Sequence, residues 1–187
     1  MNDNSNIYYT IIPDKNYFVN NGNLKLNYNK LQDMMKNNLT NINYINIFDK
    51  LTLDNYYKTD THWKQEDLFD VANTIANQMN FDITNNNVVN TVTTFKGSYA
   101  GRLSVTKDID TSSVYNYETK QYTNIYDYNK LKSLDKYDIY LSGASSIIDI
   151  VNPTSNSNRE LIVFRDSYGS SLVPLLIEGY KKITVVD

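Results

Sequence analysis

The chain has 187 residues, which is long enough for one domain with a substantial hydrophobic core. Hydrophobic residues make up 41% of it and charged residues 21%, values that are ordinary for a soluble globular protein. The net charge of -3, with Lys and Arg scattered along the chain, argues against a nucleic-acid partner. The absence of cysteine excludes disulfides, cysteine–zinc sites and thiol catalysis, but it leaves the compartment open.

No apolar run approaches the ~18 residues needed to cross a membrane, and residues 1–6 lack the apolar core of a signal peptide. If the natural protein is exported, its targeting segment lies outside this sequence. Asparagine runs indicate loops. A surface cluster among the 17 tyrosines is a candidate for stacking on carbohydrate, although AT-rich coding DNA is an alternative explanation of the bias.

The first part of the chain predicts a strand, a helix and a second strand. Residues 7–12 are β-branched and aromatic and end at a proline, so they predict a strand. Residues 24–39 carry apolar side chains at nearly helical spacing, and residues 42–48 fit a strand buried on both faces. This order indicates a βαβ unit with a parallel sheet.

The middle of the chain contains the clearest helix, at residues 64–79, where six apolar side chains form one stripe. Residues 83–140 are less periodic and are interpreted as an insertion of strands and loops. Strands are predicted at 88–95 and 113–117, and a short one at 139–141.

The end of the chain predicts a strand at 147–151, another at 161–164 and a last one at 182–186. The continuous apolar run at 161–164 is typical of a central parallel strand. Residues 167–179 then predict a turn and a helix. A residue at such a turn lies at the carboxyl edge of the sheet, where open α/β sheets bind ligands.

Ser167 occupies that turn, and His62, the only histidine, lies two residues after Asp60. A serine needs a base to become a nucleophile at neutral pH, and the usual base is a histidine oriented by a carboxylate. In an extended loop, the spacing of Asp60 and His62 turns both side chains to the same side.

Each residue also has a simpler structural interpretation. Ser167 can be a helix cap, His62 a surface or capping histidine, and Asp60 an acid at a helix start. Arg165 stands at the first glycine position of the Gly-x-Ser-x-Gly elbow of α/β-hydrolases, so that motif is absent. One histidine also excludes a multi-histidine metal site.

Three neighbouring residues are candidate substrate contacts. Arg165 either binds a substrate carboxylate or fixes Asp166 by a charge-assisted bond, and the simpler structural interpretation is an ion pair within the fold. Trp63 either forms one wall of the site or packs in the core beneath the helix start. Tyr168, directly after Ser167, completes this set.

The segment Tyr-Lys-Thr-Asp-Thr-His-Trp at 57–63, followed by Phe-Arg-Asp-Ser-Tyr-Gly at 164–169, resembles the clostridial DHHW protein family. That family is similar to the alginate O-acetyltransferases and, more distantly, to the SGNH (GDSL-type) hydrolases. Segments that include residues 95–98 and 141–143 also resemble landmarks of the family.

The resemblance implies an α/β fold, namely an SGNH-hydrolase-like three-layer sandwich with a mainly parallel central sheet. It implies Ser167 as nucleophile, His62 as base and Asp60 as the acid that orients it. The motif order is permuted relative to the SGNH hydrolases, because Asp-x-His precedes Asp-Ser, as in the alginate acetyltransferases. Thr61 replaces a histidine of the DHHW motif, and Arg165 replaces the glycine of a Gly-Asp-Ser block. The glycine and asparagine that complete the SGNH oxyanion hole have no counterpart identified from the sequence.

We therefore expect a serine-dependent O-acetyltransferase or acetylesterase. Its substrate is expected to be an extracellular or cell-wall polysaccharide or another acetylated glycan, with a membrane-bound partner as acetyl donor. No cofactor, metal or nucleic acid is expected. The alternative is a non-catalytic binding or assembly protein of the cell envelope that retains the fold.

Residues 1–187 are expected to form one domain in the extracellular space or the cell envelope. We expect this domain to be a fragment without an N-terminal export or anchor segment, so that the full-length protein is anchored in the membrane. The chain stops at Asp187, directly after a predicted core strand, which suggests that a C-terminal element is also missing.

Overall fold

The computed structural model describes residues 5–85, 89–104, 107–117 and 120–187, and it shows a mixed α/β protein of short helices and small sheets. The chain divides into two compact units, residues 1–53 and 54–187, which are described separately. No helix in the described ranges is both long and apolar enough to span a membrane.

The first unit contains two short parallel strands that are separated in the sequence by one helix. Strand β1 (Tyr8–Tyr9) pairs with β2 (Asn43–Tyr44), and helix α1 (Tyr28–Asn38) connects them. The helix begins later than its apolar pattern predicts, because the Asn27 side chain accepts a hydrogen bond from the Lys30 amide and caps it there. The predicted βαβ order is therefore found, with strands shorter than expected.

The helices of the second unit lie mainly where the sequence predicts them. Helix α2 (Phe69–Gln78) buries an apolar stripe and follows a 3₁₀ helix (Gln65–Asp67). Helix α3 (Ser98–Leu103) was not predicted, because its region is interpreted from the sequence as strands and loops. Helix α4 (Gly169–Leu172) tightens into a 3₁₀ helix (Val173–Gly179) with a proline in its first turn.

The strands of the second unit form two separate sheets. In one, β3 (Val89–Phe95) pairs with β4 (Asp110–Tyr115) in antiparallel orientation. In the other, β7 (Lys182–Val186) lies between β5 (Ile147–Val151), which is antiparallel to it, and β6 (Glu160–Phe164), which is parallel. Residue 88, where the sequence predicts the start of a strand, lies outside the described residues.

Two sequence-based expectations about strands differ from the structure. The strand predicted at 139–141 is wrong, because a 3₁₀ helix (Lys136–Ile139) is followed by a turn in which Leu141 and Ser142 have φ of 53° and 57°. The run at 161–164 lies in β6 at the end of its sheet, not at the centre, and Phe164 is 80% exposed. A short apolar run does not reveal whether one or both faces of a strand are buried.

Candidate active site

Asp60 and His62 lie on a short loop that is closed at its base. Tyr56 and Trp63 form an antiparallel bridge, and the Tyr57 amide donates to the His62 carbonyl at 3.0 Å. The buried Asp110 carboxylate holds the loop from β4, because it accepts hydrogen bonds from the Lys58 and Thr59 amides and from the Thr59 hydroxyl. The loop is therefore held by backbone contacts and not only by its side chains.

The Asp60 carboxylate is buried, with 1% of the residue exposed, and three N–H groups point at it. The Ser98 amide donates to Oδ2 at 2.8 Å, and the His62 amide and ring Nδ1 donate to Oδ1 at 3.0 and 2.6 Å. Burial by itself raises the pKa of the Asp60 carboxyl, but these hydrogen bonds outweigh it and hold that pKa well below its usual range. Asp60 is therefore an anion at neutral pH.

The His62 ring bridges Asp60 and Ser167. An ionised carboxylate can only accept hydrogen bonds, so the proton of the neutral ring lies on Nδ1 and the lone pair on Nε2. The Ser167 Oγ lies 2.9 Å from Nε2 and can donate its proton to that lone pair. The structure thus brings together the three side chains that the two motifs point to, at the separations expected of a nucleophile, a base and an orienting acid.

Ser167 lies on a tight turn between β6 and α4. The Asp166 carboxylate accepts from the Tyr168 amide, and the Asp166 carbonyl accepts from the Gly169 amide, which together fix the turn. Ser167 is exposed, and its backbone N–H has no acceptor within the described part of the chain. An exposed hydroxyl beside an unused amide is suited to attack on a carbonyl and to stabilisation of the resulting oxyanion.

Hydrogen bonds connect the two motifs, which are 105 residues apart at their catalytic candidates. The Trp63 Nε1 donates to the Tyr168 carbonyl at 3.0 Å and to the Ser171 hydroxyl at 2.9 Å. The Tyr168 hydroxyl donates to the Thr61 carbonyl at 2.9 Å. Since these bonds run in both directions, a shift of either motif would break several of them.

No family model matches the sequence, and no curated protein shows significant sequence similarity to it. Solved structures do match its fold. A DHHW family protein from Eubacterium siraeum superposes with a TM-score of 0.72 at 19% identity, covering 97% of this chain and 69% of that one. The fold resembles that of a DHHW family protein.

Bacillus cereus PatB1 gives a TM-score of 0.69 at 15% identity, covering 97% of this chain and 73% of that one. PatB1 with a sulfonyl adduct gives 0.72 at 16% identity, with 98% and 73% covered. At these identities, the likeness to PatB1 and to the DHHW family protein establishes the fold alone.

Two of the segments that resemble DHHW landmarks, at 95–98 and 141–143, contribute hydrogen bonds to this site. Gly97 follows β3, its amide donates to the Thr59 hydroxyl, and the next residue, Ser98, donates to Asp60. Gly143 has a φ of 74°, which favours glycine, and its carbonyl accepts from Arg165. The sequence predicts that these segments are family landmarks but not what they do. In the structure they support the loop that carries Asp60 and the turn that carries Ser167.

The candidate substrate contacts differ in exposure. Trp63 is fully buried, so it packs beneath the site, as in the second of the two interpretations of its sequence position. Tyr168 is half-buried beside the His62 ring. The Arg165 side chain is only 4% exposed, and its guanidinium donates to the Gly143 carbonyl and the Ser170 hydroxyl. It lies 3.6 Å from the Asp187 carboxylate, so it forms a structural ion pair, and it contacts Asp166 at the backbone carbonyl and not at the carboxylate.

One supporting residue, Tyr137, gave no signal in the sequence. The Tyr137 ring stacks on the His62 ring, with centroids 3.9 Å apart and planes inclined by 9°. Its hydroxyl lies 2.7 Å from that of Ser171, which also binds Trp63. Tyr137 lies in the least periodic part of the chain, and nothing in its local sequence indicates that it packs on the histidine.

Glu66 is a further titratable group close to the candidate active site in the sequence. Burial, reinforced by the charge of Asp67, raises the pKa of the Glu66 carboxyl to about 7. Its Oε2 atom is buried and has no hydrogen-bond partner among the described residues. Any pH profile of this protein must therefore separate Glu66 from His62.

The contact between Gly97 and Asp60 generates a prediction about stability. A Cβ atom at Gly97 would collide with the Asp60 side chain and backbone, whereas one at Gly101 would meet nothing within 4 Å. Gly97→Ala should therefore lower the melting temperature by several degrees and reduce activity, because Asp60 is displaced from its donors. Thermal unfolding followed by circular dichroism measures the effect.

Gly101→Ala is the matched control, and it should leave the melting temperature unchanged or raise it slightly, because alanine favours the helix. Equal melting temperatures for the two variants would show that the close approach of Gly97 to Asp60 does not constrain the loop.

Proposed function

We propose that this protein transfers or removes O-acetyl groups on an extracellular or cell-wall polysaccharide, through an acetyl ester of Ser167. The observation that carries the proposal is the line of contacts from Asp60 through His62 to the exposed Ser167 hydroxyl. A buried anion, a histidine with a defined tautomer and a serine within hydrogen-bond reach form the constellation of acyl-transfer enzymes.

In the proposed mechanism, the Ser167 Oγ attacks the acetyl carbonyl carbon while its proton passes to Nε2 of His62. The Asp60 carboxylate stabilises the imidazolium through Nδ1, and the Ser167 amide donates to the oxyanion. When the tetrahedral intermediate collapses, the bond to the sugar oxygen breaks and that oxygen takes the proton from Nε2. Water then releases acetate, or a sugar hydroxyl accepts the acetyl group.

The structural neighbours support this proposal at the level of the fold. PatB1 has been solved with a sulfonyl adduct, and sulfonyl groups react with activated nucleophiles. The finer assignment is also a proposal: an SGNH-like sandwich in which the Asp-x-His motif precedes the Asp-Ser motif. The proposal needs no metal or cofactor, because the three side chains supply the nucleophile and the proton transfers.

The biological setting of this proposal has three parts. We propose a location outside the cell or in the cell envelope, with a membrane anchor in the full-length protein. A membrane-bound partner would supply the acetyl group for transfer. Residues 1–187 would form the catalytic domain of a longer chain. The neighbours are compatible with greater length, because this chain covers only 69% to 73% of theirs.

The first test is turnover of a small acetyl ester such as 4-nitrophenyl acetate. Ser167→Ala and His62→Ala should each remove nearly all turnover, and the double variant should be little worse, because members of one catalytic unit are not additive. Thr61→Ala should have a mild effect. Wild-type activity no higher than that of Ser167→Ala would favour the non-catalytic envelope protein.

The second test is the pH dependence of kcat/KM for the same ester. His62 must be neutral to accept the serine proton, so kcat/KM should rise with pH along a one-proton limb and then level off. Asp60→Asn should lower kcat/KM strongly, because the carboxylate that holds the His62 proton on Nδ1 is lost. The limb that remains should move to lower pH, because the charge that favours the imidazolium has been removed.

Glu66→Gln is the control for this profile. Because burial raises the pKa of the Glu66 carboxyl to about 7, its contribution to stability should fall as the pH rises from the unfolded carboxyl value of ~4.3 to about 7. If protonation of His62 causes the rise of kcat/KM with pH, this rise should occur at the same pH in Glu66→Gln as in the wild-type protein. A limb that disappears in Glu66→Gln and stays in place in Asp60→Asn would assign the titration to Glu66 and contradict the proposed base.

A further inference from the structure

A recess in the second unit is lined almost entirely by tyrosine and asparagine. Its volume is about 200 Å³, and no charged side chain lines it. We call it the tyrosine groove; its main lining residues are Tyr115, Tyr117, Tyr122, Tyr126, Tyr128 and Asn90. None of these residues belongs to the candidate active site.

The rings of the tyrosine groove form a connected group around Tyr117. The centroid of its ring lies 6.2 Å from that of Tyr126 with nearly parallel planes, and 5.3 Å from that of Tyr122. Tyr128 continues the group at 6.4 Å from Tyr126 and is 55% exposed. Such rings offer apolar faces with polar tips, which suit the apolar C–H faces and hydroxyl rims of sugar rings.

Polar groups in the groove are available to a ligand. The hydroxyls of Tyr117 and Tyr122 and the side-chain amide of Asn90 have no hydrogen-bond partner among the described residues. Burial and the nearby Glu178 carboxylate raise the pKa of Tyr122 to about 12, so its hydroxyl remains a donor at neutral pH. These groups can donate to and accept from hydroxyls without carrying charge.

The charged groups near the tyrosine groove bear on which class of ligand it can bind. The Glu178 carboxylate accepts from the Thr84 amide at 2.6 Å and lies 3.7 Å from the Lys120 ammonium, so both charges are already engaged. Because no Lys or Arg is among the described residues that line the groove, phosphorylated or acidic ligands are disfavoured. A neutral molecule with many hydroxyls matches the rings and the unused polar groups.

We propose that the tyrosine groove binds a neutral oligosaccharide segment, as a second contact for the glycan outside the active site. The identity of the ligand as part of the substrate rests on the proposed function; the binding itself does not. The groove holds the chain and lets the acetylated sugar meet Ser167 as part of the same molecule, which raises its effective concentration there.

Packing places the groove near the triad within the same unit. The Tyr126 hydroxyl donates to Gln65 Oε1 at 2.7 Å, and Gln65 Nε2 donates to the Ser171 carbonyl at 2.7 Å. A series of rings from His62 through Tyr137 and Tyr140 to Tyr126 has successive centroid separations of 3.9, 5.0 and 6.1 Å. Because Tyr137, Tyr140 and Gln65 are buried, these contacts connect the groove and the triad through the core of the second unit.

Isothermal titration calorimetry tests the proposal by measuring the dissociation constants of oligosaccharides. The protein is the Ser167→Ala variant, which lacks the proposed nucleophile. The probes are the hexasaccharides of glucose, xylose and N-acetylglucosamine, with hexagalacturonate as an acidic control. At least one neutral probe should bind, and hexagalacturonate should not. Tyr122→Ala and Asn90→Ala should each weaken binding by about two- to tenfold through lost stacking or hydrogen bonding.

Asn77→Ala, on the exposed surface of α2, is the matched control and should bind like the parent protein. No binding of any neutral probe by the folded protein, or binding that both groove variants leave unchanged, would overturn the proposal. Ester turnover without binding of a neutral glycan would contradict the proposed glycan site and leave the proposed function supported. Glycan binding that depends on the groove, in a wild-type protein without ester turnover, would support the glycan site and contradict the proposed function.

Discussion

The site depends on one buried negative charge. Asp60 is almost completely enclosed, and an ionised carboxylate in such a place is costly unless hydrogen bonds replace the lost water. Three N–H groups do so, two from His62 and one from Ser98. The absence of a side chain at Gly97 lets the Ser98 amide come close, and the charge in turn determines which His62 nitrogen is free for Ser167.

A second constraint is the distance along the chain between base and nucleophile. Long-range contacts must be stabilised by packing that outweighs the chain entropy they cost. Trp63, the residue after the histidine, is fully buried and donates to the turn that carries Ser167. Ser171 connects the indole to Tyr137, which stacks on the imidazole. The packing that stabilises this part of the fold therefore also aligns the three side chains.

The sequence predicts local features of this protein better than its long-range ones. The strands at 147–151 and 182–186 have the predicted bounds, because each is a short run rich in β-branched residues. The two motifs predict the meeting of Asp60, His62 and Ser167 because that chemistry requires all three. Tyr137 was missed, since stacking across a fold leaves no periodic pattern. The short run at 139–141 was misread, because its apolar residues conceal a turn with positive φ.

Covalent labelling tests the central claim, that His62 and Asp60 make Ser167 a nucleophile, most directly. The protein is treated with a fluorophosphonate at neutral pH and its intact mass is measured, followed by peptide mapping. We expect one adduct on Ser167 of the wild-type protein, none in Ser167→Ala and strongly slowed labelling in His62→Ala. A wild-type protein that stays unmodified, or labelling of Ser167 that is equally fast without the histidine, would contradict this account.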